Sequence, residues 1–251
     1  MTHLFTVIFY QPLLNLLVWL YNTISFGDFG VAVILLTIII KAVLWPLSNK
    51  SIKSQKALAD LQPKVDEVKK KYKDNKQQLG VAMMAMYKEN KVSPFSSCLP
   101  LLIQLPFLFA VYRVFRDGVS NNLELVYSFI HRPEVINTVS FGFVDLAEKN
   151  IYLAVLAGLA QFWQAKMMIA KKPKTAATGS KEESMSAIMN KQMMYFMPII
   201  TVFIGASLPG GLTLYWFVVT LLTAIQQVVV FKSQKQKKEK ETKTIEGELA
   251  Q

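Results

Sequence analysis

Apolar and polar positions follow one another along this chain in long blocks. Five apolar blocks stand out: Phe29 to Leu47, Cys98 to Phe115, Ile151 to Ile169, Met193 to Leu208 and Gly211 to Phe231. Each is long enough, with some tilt or local thinning, to cross about 30 Å of hydrocarbon at a rise of about 1.5 Å per residue. The pattern predicts five transmembrane helices in an all-α membrane protein. The fourth block holds 16 residues, about 24 Å of helix, so it requires a locally thin bilayer or deeply set flanks. Pro209-Gly210-Gly211 makes the turn into the fifth.

Residues 1–28 are less regular. Leu4 to Tyr21 is apolar but broken by Gln11, Pro12 and Asn15, and it lacks the positive start of a cleaved signal peptide. Leu13, Leu14, Leu16, Leu17, Trp19, Leu20 and Tyr21 suit an N-terminal helix lying in the outer interface and entered at Pro12. A sixth span is the alternative. Under either reading the first block of the 29–231 core runs from outside to inside.

Residues 48–97 are charged yet patterned. Leu58, Leu61, Val65, Val68 and Tyr72 recur at helical spacing, and Leu79, Met83, Met86 and Tyr87 do so again. Pro63 suits the first turn of one helix, and Asp74 or Asn75 suits the cap of the next, which predicts a helical hairpin standing out of the membrane. The tail, 232–251, has no apolar stripe and reads as disordered.

Composition sharpens this picture. At 52% hydrophobic residues and a mean hydropathy of +0.30, the chain carries more apolar surface than one soluble core of this size would hide. The net charge of +11 falls almost wholly between the apolar blocks. Of 28 Lys and Arg, 11 lie in Ser48 to Ser97, 5 in Ala170 to Gln192 and 6 in Lys232 to Gln251. The Arg116 to Asn150 loop holds Arg116, Arg132 and Lys149 against five acids. By the positive-inside rule the basic loops and the C-terminus are cytoplasmic, and the N-terminus is outside the plasma (inner) membrane.

The chemistry is sparse. One cysteine, Cys98, and two histidines, His3 and His131, offer neither a disulfide nor a convincing metal site. No GxSxG, HExxH or Walker loop occurs, and the blocks contain no Asp or Glu. No enzyme, cofactor, metal or coupled small-molecule transport is expected.

Basic residues inside the blocks are informative. Arg113 and Lys166 lie near block ends and can snorkel. Lys41 lies six residues inside Leu47, about 9 Å from the cytoplasmic end, where a cation costs roughly 2.5–3.5 kcal/mol to insert. Either its stem reaches the cytoplasmic headgroups, or it faces a wet recess together with Thr37, one turn away on the same face. Gln104, Gln161, Gln164, Thr220, Thr223 and Gln226 are candidate polar lining, although single amides commonly serve as interhelical glue. Methionines cluster at 83, 84 and 86 and again at 185, 189, 193, 194 and 197. They suit either pliable packing or a face that accepts varied apolar partners.

The segments TIIIKAVLWPLSNKS, LQPKVDEVKKKY, AMYKENKVSP followed by CLPLLIQLPFLFAVY, FMPIITVF, and LPGGLTLYWFVV followed by IQQ resemble the YidC/Oxa membrane protein insertases in order and spacing, from Gln11 to Phe231. The resemblance implies a five-helix core around a polar groove, open to cytoplasm and lipid, that moves apolar segments of client proteins into the bilayer without ATP. It assigns Lys41 to the family's groove arginine, Thr37 to its neighbouring hydroxyl, and Trp216 beside Tyr215 to the groove aromatic, with Gln104 and Gln164 at polar positions. A slide along spans two and four falls on Leu102, Pro106, Phe109, Met197 and Ile200. Partners implied are nascent membrane protein clients, lipids, and a ribosome or Sec translocon, but no DNA and no small-molecule substrate. A docking scaffold for ribosome or anionic lipid, built on the basic hairpin and tail, is the competing reading. The chain departs from the family in carrying lysine for arginine, and it resembles the core-only form, without the large external domain.

Overall fold

Local chemistry sets the helix boundaries in the computed structural model, which describes residues 3–93, 96, 99–118, 123–168 and 192–249. Helix α1, His3–Thr23, is continuous. Pro12 does not open it. The proline has no N–H to give its own turn, and the preceding residues Thr6–Tyr10 relax into a π turn in which the Gln11 N–H reaches the Thr6 carbonyl. Leu13, Leu14, Leu17, Val18 and Leu20 are buried against the core. The polar breaks are used: Asn15 Nδ2 donates to the Leu125 carbonyl at 3.1 Å, and Asn15 Oδ1 accepts from Tyr127 N–H at 2.6 Å. Gln11 Nε2 also donates to Leu125 O, and Asn22 Nδ2 to His131 O.

Helix α2, Phe29–Val43, is capped by Asp28, whose carboxylate accepts from Val31 N–H at 3.0 Å. It ends four residues before the apolar block does. Pro46 cannot donate an N–H to an extended α2, so the chain turns by 70° at Leu44 into α3, Trp45–Asp60. Pro63 lies in the first turn of α4, Gln62–Lys71. Asn75 caps α5, Lys76–Glu89, by accepting from Gln78 N–H at 3.0 Å. The predicted helix pair is therefore present, with its cap at Asn75 and not at Asp74.

Helix α6, Leu99–Arg113, continues into a π turn, Val114–Gly118. Two short antiparallel strands follow, β1 Val139–Ser140 and β2 Val144–Asp145, with Ser140 opposite Val144. Then come α7, Ile151–Met168, a π turn at Gln192–Phe196 leading into α8, Met197–Gly205, and α9, Gly210–Leu249. The turn before α9 needs glycine. A Cβ on Gly211 would stand 2.1 Å from Phe115 Cε1, while Gly210 N–H and Gly211 N–H donate to the carbonyls of Glu148 and Leu146. Helix α9 packs on α2 and α7, and α7 packs on α8. The backbone of 232–249 is helical, in contrast to the disordered tail that was predicted. Lys, Gln and Glu are good helix formers, no proline interrupts them, and α9 supplies the nucleus.

Helices α1 and Gly210–Gln234 are each long and apolar enough to cross a membrane, and the bent pair α2/α3 offers a third crossing. Helix α6 has 15 residues and the apolar stretch Gln192–Gly205 is also short. The mostly helical architecture of the prediction is present. Of the predicted residues, Cys98, Met185 and Met189 lie outside the described ones.

Candidate functional site: a buried lysine between α2 and α9

Thr37 and Lys41 lie one turn apart on α2, and both are buried, Lys41 to 7% exposure. Thr37 Oγ1 donates to the Val33 carbonyl at 2.7 Å, so its hydroxyl is spent on its own helix. Lys41 Nζ does not run out to the surface. It donates across to Thr223 Oγ1 on α9 at 2.9 Å, and Thr223 in turn donates to the Val219 carbonyl. Among the described residues Lys41 is held by this hydroxyl and by no carboxylate, unlike Lys56 at the surface of α3, which pairs with Asp60 at 2.7 Å. An ammonium offers three donors, and Thr223 takes one.

A second polar contact lies elsewhere along α9. Gln104 Nε2 of α6 donates to the Tyr215 hydroxyl, and Tyr215 is 1% exposed. A third lies toward the α2/α3 bend, where Gln226 Nε2 donates to Asn49 Oδ1 at 2.8 Å and to the Trp45 carbonyl at 3.4 Å. Gln226 Oε1, Gln227 Oε1 and Ser51 Oγ are buried without a hydrogen-bond partner. Helix α9 thus carries Tyr215, Thr223 and Gln226, which tie it in turn to α6, α2 and α3. Gln164 and Trp216 are half-buried, on α7 and α9, and make no hydrogen bond to this group. Cavities of about 520 and 460 Å³ open elsewhere. The first is lined by Lys53, Lys91 and three serines, the second by Val81, Met84 and Tyr87.

The slide residues are apolar and largely outward. Leu102, Phe109 and Met197 are exposed, while Pro106 and Ile200 are half-buried. Their neighbours Ile199 and Phe203 are more exposed still. Arg113 donates to Thr6 Oγ1 at 3.0 Å and stacks over the Tyr10 ring at 4.6 Å, so it anchors α1 to α6. Asn49 was not anticipated from sequence. Thr223 was one of several candidate hydroxyls, and its pairing with a lysine 182 residues away has no local signal.

A family model described as 60Kd inner membrane protein matches residues 19–239. A membrane protein insertase YidC of Fusobacterium nucleatum subsp. nucleatum is 35% identical over 227 residues, covering 89% of this chain and 97% of that one. Proteins of the same name from Francisella philomiragia and Francisella tularensis subsp. novicida are 34% and 35% identical over 220 residues. There the alignment covers 86% of this chain and 35% of theirs, so the chain spans about a third of their length. With the match extending from α1 into α9 and across every segment that surrounds Lys41, this chain belongs to the 60Kd inner membrane protein family, the YidC/Oxa insertases.

Proposed function

We propose that this protein inserts membrane proteins by offering the polar group at Lys41 to a client's hydrophilic segment while the client's apolar helix passes along α6 and α8 into lipid. The observation that carries this reading is the placement of Lys41, buried at the α2–α9 seam and held by one hydroxyl, with no carboxylate partner among the described residues. An acidic or carbonyl-rich segment can take up the remaining donors of the amine, which a salt bridge would have occupied. Exchanging Thr223 for a client group requires α2 and α9 to part by only a side-chain length, and the buried unpaired oxygens of Gln226 and Gln227 supply acceptors beside the same seam.

The driving force is partition. Moving about 20 apolar residues into hydrocarbon at a few tenths of a kcal/mol each needs no nucleotide. Outward Leu102, Phe109 and Met197, with half-buried Pro106 and Ile200, form the path. Gln104, Tyr215, Gln164 and Trp216 line its polar side. The orientation has the C-terminus and the α4–α5 hairpin in the cytoplasm, where the lysines are concentrated. Helix α1 lies along the outer face: its positions 11, 15 and 22 all bond to the 123–131 segment of the outer loop. Five spans then complete the core. Ribosome or Sec contacts belong to the basic hairpin, since the tail's lysines are largely offset by glutamates.

Proteoliposomes containing only this chain test the proposal. A small one- or two-span client should become protease-protected without ATP; if no client does so, autonomous insertion is lost.

A further inference from the structure

Two turns at the outer end of the helices share one unusual design. Ser25-Phe26-Gly27-Asp28 closes with Asp28 N–H donating to the Ser25 carbonyl at 2.9 Å, and Ser140-Phe141-Gly142-Phe143 closes with Phe143 N–H donating to the Ser140 carbonyl at 3.2 Å. In both, the phenylalanine is left-handed at φ 52°, followed by a glycine at φ 80° or 78°. Asn or Asp suits the first of these positions, and a bulky side chain is an outlier there. The turns are not loose. Asp28 Oδ2 accepts from Phe141 N–H at 2.7 Å, Asp28 Oδ1 accepts from Ser140 Oγ, and the same carboxylate caps α2.

The rings are not packed. Phe26 is 98% exposed, Phe141 54% and Phe143 81%. A water-facing turn would carry asparagine here and gain on both counts, so an apolar surrounding is what makes phenylalanine favourable at these positions. Phe26 lies three residues before the membrane helix α2, and Ile151 and Tyr152, also exposed, open α7 six and seven residues after β2. The turn tips therefore continue the lipid-facing apolar surface of the helices. Nothing lies within 4 Å of a Cβ built on Gly27 or Gly142, so both tips project freely.

We propose that Phe26, Phe141 and Phe143 form a rigid aromatic clamp inserted into the interfacial layer of the outer leaflet, its partner being the lipid surface itself. Phenylalanine, with Trp and Leu, is a residue that interfacial segments bury about 5–10 Å into the headgroup–acyl boundary. Asp28 fixes the two tips relative to α2, so the clamp sets the height and tilt of that helix in the bilayer. This inference depends on α2 crossing the membrane and not on insertion activity.

The test uses the full chain with Cys98→Ser, reconstituted in phosphatidylethanolamine/phosphatidylglycerol vesicles and labelled with a polarity-sensitive dye at Phe26→Cys, Phe141→Cys or Phe143→Cys. Glu134→Cys, exposed on the same loop, is the aqueous control. Iodide should quench the three clamp labels about fivefold less than the control, and lipids carrying a nitroxide near the headgroup should quench them more than lipids carrying it at the chain end. Equal iodide quenching at all four sites overturns the proposal. So does protection from iodide without lipid quenching, which would assign the rings to a protein contact or a second copy. Phe26→Asn with Phe141→Asn removes the rings while relieving the turns. This pair should keep the thermal midpoint in detergent at or above that of the parent, yet make a label at Phe143→Cys about threefold more accessible to iodide. Unchanged accessibility in that folded variant overturns the clamp.

Discussion

Lys41 is buried against a single hydroxyl on α9, and its substitutions separate charge from packing. Lys41→Arg keeps the charge, so insertion in proteoliposomes should stay within about threefold, whereas Lys41→Glu reverses it and should lower insertion about tenfold or more. Equal activity of the two would leave Lys41 a structural residue. Thr223→Val removes the hydroxyl that holds the amine and should destabilise the folded chain by about 1 kcal/mol, read as a lower thermal midpoint in detergent. Asp28, outside the spans, makes stability depend on acid. Burial pushes its carboxyl up, but hydrogen bonds from Ser140 and from the N–H groups of Phe141, Val31 and Gly30 outweigh this and hold it below its ordinary 3.8. Its contribution to stability is thus present above pH 3.8 and lost as pH falls through the lowered value, so acid should erode the midpoint of the parent more than that of Asp28→Asn. Lys41 and Thr37 were legible in the sequence because cost and spacing are local properties. Thr223 and Asn49 as partners were not, because only the fold brings α9 against α2 and α3.

Helix boundaries follow caps and prolines more closely than hydropathy. Pro63 and Asn75 marked the α4–α5 pair correctly, since both act through their own backbone neighbourhood. Apolar run length overextended α2, because Trp45 and Leu47 continue the block past Leu44, where the chain has already turned. In α1 it is the start that differs, since the helix runs from His3 through Pro12, and Gln11 and Asn15 interrupt the apolar run because the 123–127 segment uses them. The α9 entry is a tightly constrained junction, where a Cβ on Gly211 would meet the Phe115 ring at 2.1 Å. Phe115 stands in edge contact with Phe29 at 5.4 Å, so its ring has little room to yield to a methyl group at position 211. Gly211→Ala should cost about 1–3 kcal/mol, and Phe115→Leu in the same chain should restore part of the lost midpoint.

At the scale of the whole molecule, the proposed orientation rests on lysines gathered in the 48–97 segment and the tail, and the proposed clamp would anchor the opposite end of the same helices. Deleting Lys232–Gln251 should leave insertion in proteoliposomes within about twofold, because the seam at Lys41 does not involve the tail. A larger loss would give α9's extension a direct part in insertion. Ribosome co-sedimentation that persists in the deleted chain would assign docking to the α4–α5 pair. The 70° bend at Leu44 has a mechanical consequence for that pair. Helix α3 is a stiff arm of 16 residues, about 24 Å long, hinged beside Lys41 and pinned to α9 near the hinge through Asn49 and Gln226. A pivot of about 10° there would swing the far end of α3, and the hairpin with it, by about 4 Å. Such a swing would load every contact that holds α3 to α9 at once, the Gln226 bonds to Asn49 and to the Trp45 carbonyl near the bend and Lys56 over the Phe231 ring at 5.5 Å farther along.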